Sequence, residues 1–200
     1  MKNKDHEFAA FILTHGRANN VTTYDILRKH GYTGNIYLLV DDEDDQIAEY
    51  QEKYGDQVVV FSKQDAIDMT DSGDNFGKRN SVVYARNYSF KVAEQLGLKY
   101  FLQLDDDYKQ FRYTFDNDRQ YITKNININN LDVVLKAMLD FYVQSGALTL
   151  AMSQGGDFIG GEGSNVAKQH VKGKFSRKAM NAFFLSVDRP FKFMGRINED

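Results

Sequence analysis

The sequence predicts an α/β fold in which a mostly parallel sheet is flanked by helices. Apolar segments typical of strands alternate with amphipathic segments typical of helices over the first half of the chain, and this alternation favours right-handed crossovers. One apolar segment, YFLQLDDD at residues 100–107, ends abruptly in three consecutive aspartates. Open α/β sheets bind ligands at the carboxyl ends of central strands, so this segment is the first candidate for a functional site.

Apolar runs predict the first three strands, and helix end signals predict the helices between them. A helix capped by Asn19 or Asn20 should run to about His30, and a second helix should end at Gly55. Residues 62–77 are polar and poorly periodic, which predicts a loop. The strands themselves are expected at residues 8–13, 35–40 and 58–61.

A long helix is expected at residues 78–96, directly before the acidic strand. Arg79 and Arg86 are seven residues apart, as are Asn80 and Asn87, so each pair would lie on one side of this helix, two turns apart. These side chains could contact phosphate, ribose or base. A solvated face that pairs with nearby aspartates is the alternative.

The pattern changes after the acidic strand. Alternating aromatic residues at 111–115 and a return at 121–123 predict a small antiparallel hairpin. A helix capped by Asn129 or Asn130 should follow it and end at Gly146. The last two strands are expected at residues 147–152 and 181–187.

Two segments near the carboxyl end are candidates for contacts with substrate. Residues 153–165 contain five glycines, and such a loop is either disordered or a lid over a site. Residues 166–178 contain no acid, and their positive charge suits a polyanionic acceptor or a pyrophosphate, a solvated charge run being the alternative. The candidate contacts there are Lys168, Lys172, Lys174 and Arg177.

Composition narrows the class of protein without naming a function. Two hundred residues suit a single domain, and the net charge of −3 gives no global signal for nucleic-acid binding. No apolar stretch approaches the roughly 20 residues needed to cross a membrane. The absence of cysteine and of a signal-peptide core is compatible with the cytoplasm.

The acidic cluster predicts a metal site. Alternation along a strand would project Asp105 and Asp107 to one side, with Asp106 opposite them. Carboxylates this close repel one another unless a cation lies between them, and hard oxygen ligands suit Mg²⁺ or Mn²⁺. A solvated acidic turn is the alternative.

Polar residues also follow the first two strands. Thr14, His15, Gly16 and Arg17 should occupy a strand-to-helix turn, where glycine permits close backbone approach and helix amides favour an anion or an acceptor-rich ring. An ordinary loop is the alternative. Asp41, at the tip of the second strand, is a candidate for binding a ligand hydroxyl. The acids after it, including Asp44, need no role beyond the first turn of the next helix.

These residues carry a family resemblance. The order of elements resembles that of GT-A glycosyltransferases, whose half-Rossmann sheet presents a D-x-D motif to a metal and a nucleotide-sugar. Residues 79–107 and 181–200 resemble the family-2 pattern of an Arg-Asn helix, a D-x-D strand and a later Glu-Asp pair. More narrowly, three segments of the sequence resemble the TET-associated glycosyltransferases of bacteriophages. These segments are FILTHGRANNVTTYDIL, LLVDDED and LQLDDDY.

The resemblance implies a metal-dependent glycosyltransferase that uses a nucleotide-sugar, with a UDP-sugar expected. Members of the narrower family are thought to glycosylate hydroxymethylated pyrimidines in DNA, which implies DNA as a partner and a location in the host cytoplasm if the chain is phage-encoded. Nucleotide-sugar contacts are implied for Thr14, His15, Gly16, Arg17, Asp41, Arg79, Asn80, Arg86, Asn87, Asp105 and Asp106.

The resemblance also implies a metal site and a base. Asp105 and Asp107 match the ends of D-x-D and would hold Mn²⁺ or Mg²⁺. Glu199 and Asp200 match the Glu-Asp pair, whose second residue is the general base of inverting members. GT-A domains usually continue past this pair, so the single domain 1–200 is expected to be truncated at its carboxyl end.

Three alternatives remain open from the sequence. The acceptor could be a glycan or a small molecule instead of DNA. A nucleotidyltransferase could share the sheet, the metal and the acids, although residues 14–17 match its lysine-containing phosphate loop poorly. The chain could also be an inactive module that binds a nucleotide-sugar or DNA.

Overall fold

The computed structural model describes residues 7–74, 76–118, 126–152 and 182–195. Helices and strands alternate through the first half of these residues, as the sequence predicts. The strands are β1 (Phe8–Leu13), β2 (Asn35–Asp41), β3 (Val58–Phe61), β4 (Tyr100–Asp105), β5 (Leu150–Ala151) and β6 (Ala182–Ser186). The helices are α1 (Thr22–Lys29), α2 (Ile47–Tyr54), α3 (Lys63–Asp68), α4 (Val82–Gln95) and α5 (Leu131–Ser145), and a 3-10 turn (Gly55–Gln57) follows α2.

The six strands form one sheet in the order β3-β2-β1-β4-β6-β5. The first four in this order are parallel, whereas β6 is antiparallel to both β4 and β5. In the parallel register Leu13 lies beside both Leu39 and Asp105, and Asp41 lies beside Phe61. The predicted α/β fold, with helices flanking a mostly parallel sheet, is confirmed. Its four parallel strands all end at one edge.

Both faces of the sheet are covered, which explains why β1 is apolar at every position. Ala10 and Ile12 point to the face that packs against α1, α2 and α5. Ala9 and Phe11 point to the other face, which packs against α3 and α4. No helix in the described part of the chain is both long and apolar enough to cross a membrane.

The helix before the acidic strand begins later than predicted. Ser81 is its N-cap, and the Ser81 side chain accepts a hydrogen bond from the backbone N–H of Val83. Arg79 and Asn80 therefore precede the helix. The expectation that they align with Arg86 and Asn87 on one helical face is wrong.

Two further expectations about helices are also corrected. The segment predicted to be a loop contains α3, a six-residue helix that is too short to show a clear period but is capped by Ser62. Neither Asn19 nor Asn20 caps α1. The backbone N–H of Asn20 instead donates to the carbonyl of Arg17, which closes a turn before the helix begins.

The second half of the chain follows the prediction more closely. Asn130 caps α5, and Gly146 ends it in the left-handed conformation. Residues 111–113 pair antiparallel with residues 126–128 through an isolated bridge, so an antiparallel return does follow the acidic strand, but the partner of residues 111–113 lies later in the chain than predicted. The predicted return at 121–123 and the glycine-rich segment at 153–165 lie outside the described residues. Strand β5 is shorter than the predicted residues 147–152.

Asn87 joins the middle of α4 to the segment that follows β6. Its buried amide donates to the carbonyl of Phe193 at 2.9 Å and to the hydroxyl of Thr70 at 3.0 Å. It also accepts from the backbone N–H of Phe193 at 2.8 Å. One side chain thus satisfies both backbone groups of a buried residue more than 100 positions away in the sequence.

We expect Asn87→Ala to lower the free energy of unfolding by about 2–4 kcal/mol, because it leaves buried backbone groups of Phe193 without partners. Urea unfolding followed by circular dichroism measures this difference. Asn117→Ala is the matched control, because Asn117 is exposed. Equal stability of the two variants would contradict a structural role for Asn87.

Candidate functional site

A cavity of about 380 Å³ opens at the edge where the four parallel strands end. Residues that follow β1 and β4 form its polar part, and the start of α4 forms one wall. The lining residues are Leu13, Thr14, His15, Arg17, Asp41, Phe61, Asn80, Ser81, Val82, Ala85, Asp105, Asp106 and Asp107.

The three aspartates have different environments. Strand β4 ends at Asp105, and the next two residues form a turn, so strand alternation does not extend through the cluster. Asp105 is partly exposed, Asp106 is buried and Asp107 is exposed. All three residues line the cavity. The side chains of Asp105 and Asp106 nevertheless have partners on different elements: Asp105 pairs with Arg86 on α4, whereas Asp106 accepts from Thr14 and Arg17 after β1.

The carboxylate of Asp106 joins the β4 turn to the turn after β1. Its Oδ2 accepts from the hydroxyl of Thr14 at 2.8 Å, and its Oδ1 accepts from Nη1 of Arg17 at 2.7 Å. Thr23, at the start of α1, donates from its backbone N–H to the Asp106 carbonyl and from its hydroxyl to the Asp105 carbonyl. The acidic turn is therefore held in place by both its side chain and its backbone.

Arg86, on α4, holds the carboxylate of Asp105 from the side away from the cavity. The Arg86 guanidinium is only 1% exposed, and its Nη2 donates to Oδ1 of Asp105 at 3.1 Å. Its Nη1 donates to Gln103, and the rings of Phe183 and Phe193 lie 5.3 and 5.9 Å from it. Arg86 is not among the residues that line the cavity. Its contact with the site is therefore the hydrogen bond to the carboxylate of Asp105.

Asp105 and Asp107 fit a metal that is shared with a phosphate ligand. No group of three or more histidine, cysteine or acidic side chains in the described ranges is arranged to hold an ion by itself. Mg²⁺, however, is usually bound by one or two carboxylates and completes its shell with water and substrate phosphates. Both oxygens of Asp106 already accept hydrogen bonds, which makes Asp105 and Asp107 the better ligands.

The turn after β1 is held by the segment that follows β2. Gly16 has a positive φ of 66°, and its backbone N–H donates to Oδ2 of Asp44 at 2.7 Å. The backbone N–H of Arg17 donates to the hydroxyl of Tyr50 at 2.8 Å. Burial raises the pKa of Tyr50, so this hydroxyl stays protonated at neutral pH. Asp44 was expected only in the first turn of the next helix, but α2 begins at Ile47, and Asp44 is instead buried beneath the turn after β1.

Asp41 is buried beneath His15. Its Oδ2 lies 2.9 Å from Nδ1 of His15 and accepts from Nζ of Lys63 at 3.2 Å. Its Oδ1 accepts from the backbone N–H of Glu43 at 3.3 Å. Lys63 is itself buried, and nothing in the sequence around it indicated a partner for Asp41. Only the fold brings Lys63, on α3, to the tip of β2.

The other predicted contacts fall into three groups. Asn80 lines the cavity, whereas Arg79 faces outward, where it pairs with Glu43 and lowers the pKa of that carboxylate. Arg79 and Asn87 are, like Arg86, not among the lining residues. The remaining predicted site residues lie outside the described ranges: Lys168, Lys172, Lys174, Arg177, Glu199 and Asp200.

A family model of TET-associated glycosyltransferases matches residues 8–200, which is nearly the whole chain. The chain belongs to this family. The membership confirms the resemblance noted in the sequence, and the cavity of this TET-associated glycosyltransferase coincides with the three sequence blocks that carried it. No curated protein matches the chain.

We expect two neighbouring substitutions in the glycosyltransferase to differ sharply in their effect on stability. Asp106→Ala should lower the free energy of unfolding by about 2–3 kcal/mol, because it removes the acceptor shared by Thr14 and Arg17. Asp107→Ala, at an exposed position, should change it by no more than about 0.5 kcal/mol. Urea unfolding of both variants tests the contrast, and a similar loss in both would be evidence against it.

Proposed function

We propose that this glycosyltransferase binds a nucleotide-sugar, with a UDP-sugar expected, and transfers the sugar to the hydroxymethyl group of a modified pyrimidine in DNA. The observation that carries the proposal is that one cavity, in a member of this family, joins Asp105 and Asp107 to the turn of residues 14–17. Two carboxylates that could hold a cation lie there in the same cavity as the half-exposed side chains of His15 and Arg17, and this combination suits a nucleoside diphosphate.

The donor would lie along the edge of the sheet. The cavity is lined by one residue at the end of each parallel strand: Phe61 in β3, Asp41 in β2, His15 after β1 and Asp105 in β4. It therefore spans three strand spacings, about 14 Å. The diphosphate would lie at the β4 end, near Asp105, Asp107 and the cation of Arg17. The nucleoside would lie toward β2 and β3, where Phe61 offers an apolar contact.

Asp105 and Asp107 would hold Mn²⁺ or Mg²⁺ at the diphosphate. When bound, such an ion offsets the charge that builds up on a departing diphosphate. Arg86 would keep Asp105 in the orientation that the ion requires, since its guanidinium donates directly to that carboxylate. Arg17 is half-exposed and would add positive charge on the cavity side.

The acceptor hydroxyl needs a base, and the proposal assigns this role to Asp200, with Glu199 beside it. A carboxylate there would remove the proton as the hydroxyl attacks the anomeric carbon. Lys168, Lys172, Lys174 and Arg177 would contact phosphates of the acceptor DNA. These assignments rest on the sequence and on the family.

We expect DNA that contains 5-hydroxymethylcytosine or 5-hydroxymethyluracil to gain the mass of a hexose or a pentose when it is incubated with the enzyme, Mn²⁺ and a panel of nucleotide-sugars. Mass spectrometry of the digested nucleosides measures the gain. The same duplex with unmodified pyrimidines is the control, because it lacks the nucleophilic hydroxyl.

Two other outcomes would replace this proposal. If no donor adds mass to DNA but a glycan or a small hydroxylated molecule stimulates the release of nucleoside diphosphate, then the acceptor is not DNA. If nucleoside diphosphate is not released with any donor or acceptor, then the chain is a binding module.

Asp107→Ala should lower the rate of donor turnover by roughly 100-fold or more while the fold stays intact, because it removes a ligand that stabilises the departing charge. Release of nucleoside diphosphate measures turnover, and thermal unfolding measures the fold. Asp45→Ala is the matched control, since Asp45 is exposed and not among the lining residues. Full activity of Asp107→Ala would remove the proposed metal role.

A further inference from the structure

His15 is held by one edge of its ring and presents the other edge to the cavity. Its Nδ1 lies 2.9 Å from Oδ2 of Asp41 and 3.7 Å from Oδ2 of Asp44. The side chain is nevertheless 58% exposed, and His15 is one of the residues that line the cavity. The second ring nitrogen, Nε2, lies on the edge away from Asp41 and is available to a ligand.

The partners of Asp41 determine the tautomer of His15. An ionised carboxylate can only accept hydrogen bonds, and the Asp41 oxygen that contacts His15 also accepts from Nζ of Lys63 at 3.2 Å. Nδ1 of His15 must therefore carry the proton that it shares with Asp41. In the neutral ring, Nε2 is then a hydrogen-bond acceptor.

Asp41 itself is poorly placed to contact a ligand. Its side chain is only 4% exposed, and its oxygens already accept from Lys63 and the backbone of Glu43 and contact His15. The exposed group at this end of the cavity is the imidazole above it. A base bound at this end of the cavity would therefore contact Nε2 of His15 and not the carboxylate of Asp41.

We infer that Asp41 and Lys63 are positioning residues which hold His15 with Nε2 as an acceptor, and that this acceptor selects donors whose base carries a ring N–H. The inference rests on the proposed function, because it places the donor's base at the β2 end of the cavity. Uracil and thymine carry a hydrogen on N3, whereas cytosine has a lone pair there. Facing Nε2, cytosine would bring two acceptors together and lose the hydrogen bond.

Binding of bare nucleoside diphosphates tests the inference apart from catalysis. In isothermal titration calorimetry with Mn²⁺, UDP and thymidine diphosphate should bind the enzyme about 10- to 100-fold more tightly than CDP, because a site built to accept a hydrogen bond rejects an analogue that lacks it. His15→Phe keeps a planar ring without either nitrogen, and it should bring UDP and CDP within about threefold of each other.

Lys63 provides the sharper test because it touches neither the base nor the phosphates. Lys63→Met should reduce the ratio of UDP to CDP affinity, since Asp41 and His15 lose the cation that fixes them, and Lys63→Arg should restore most of the ratio. A merely structural role would weaken both ligands equally and leave the ratio unchanged. Lys136→Met is the matched control, because Lys136 is exposed on α5, outside the cavity.

The outcomes separate this inference from the function on which it rests. Equal binding of UDP and CDP by the wild type, or an unchanged ratio in His15→Phe, would overturn the inference and leave the transferase proposal intact. Tighter binding of CDP would overturn the inference and the expected UDP-sugar donor, but not sugar transfer from a nucleotide-sugar. Failure of every nucleoside diphosphate to bind would overturn both. His15→Phe changes an exposed side chain, so the test remains decisive even if Lys63→Met does not fold.

Discussion

Two ion pairs allow three consecutive aspartates to end a strand in the middle of a sheet. Adjacent carboxylates repel one another and resist burial, but Arg86 pairs with Asp105 from α4, on one face of the sheet, and Arg17 pairs with Asp106 from the turn after β1. The pairs differ in exposure, since Arg86 is buried and Arg17 is half-exposed. Asp107 is exposed and lines the cavity, which is why the proposed metal site includes it. The three aspartates are therefore not equivalent. Asp106 has a structural role, Asp105 is oriented by Arg86, and Asp107 is exposed.

The turn after β1 is held from both sides. On one side Asp106 accepts from Thr14 and Arg17, and on the other side Asp44 and Tyr50 accept from the backbone of residues 16 and 17. Because these partners are buried, the turn is fixed before any ligand arrives, and less ordering remains to be done on binding. Gly16 is required at this point, since its φ of 66° lies in the left-handed region and its N–H reaches Asp44. Because the turn is rigid, the exposed ring of His15 would hold its nitrogen in one orientation toward a ligand and could distinguish a hydrogen-bond donor from an acceptor.

The sequence predicts what local patterns determine and misses what the tertiary structure determines. The bounds of β1 and β3, the Asn130 cap and the end of α5 at Gly146 follow from apolar runs and end signals, and they were predictable. Helix α3 was missed because six residues are too few to show a period, and the start of α4 was misplaced because the Ser81 cap was not recognised. Within the site, the residues that end the strands were predictable because parallel strands share an edge. Arg86 was expected to contact the nucleotide, and Lys63 was not expected at the site at all, since only the packing of α4 and α3 decides which way these side chains point.

In the function proposed above, the cavity would divide donor recognition into two parts along the edge of the sheet. At the β4 end the interactions are electrostatic, so they would recognise any diphosphate and carry no information about the base. At the β2 end they depend on the direction of a hydrogen bond, which is set by a chain of contacts from Lys63 through Asp41 to His15. Charges act over several ångströms and tolerate small shifts, whereas hydrogen bonds weaken steeply with misalignment. If His15 discriminates the base, the buried lysine beneath Asp41 has a reason in this difference, because the accepting nitrogen must then be held in one orientation.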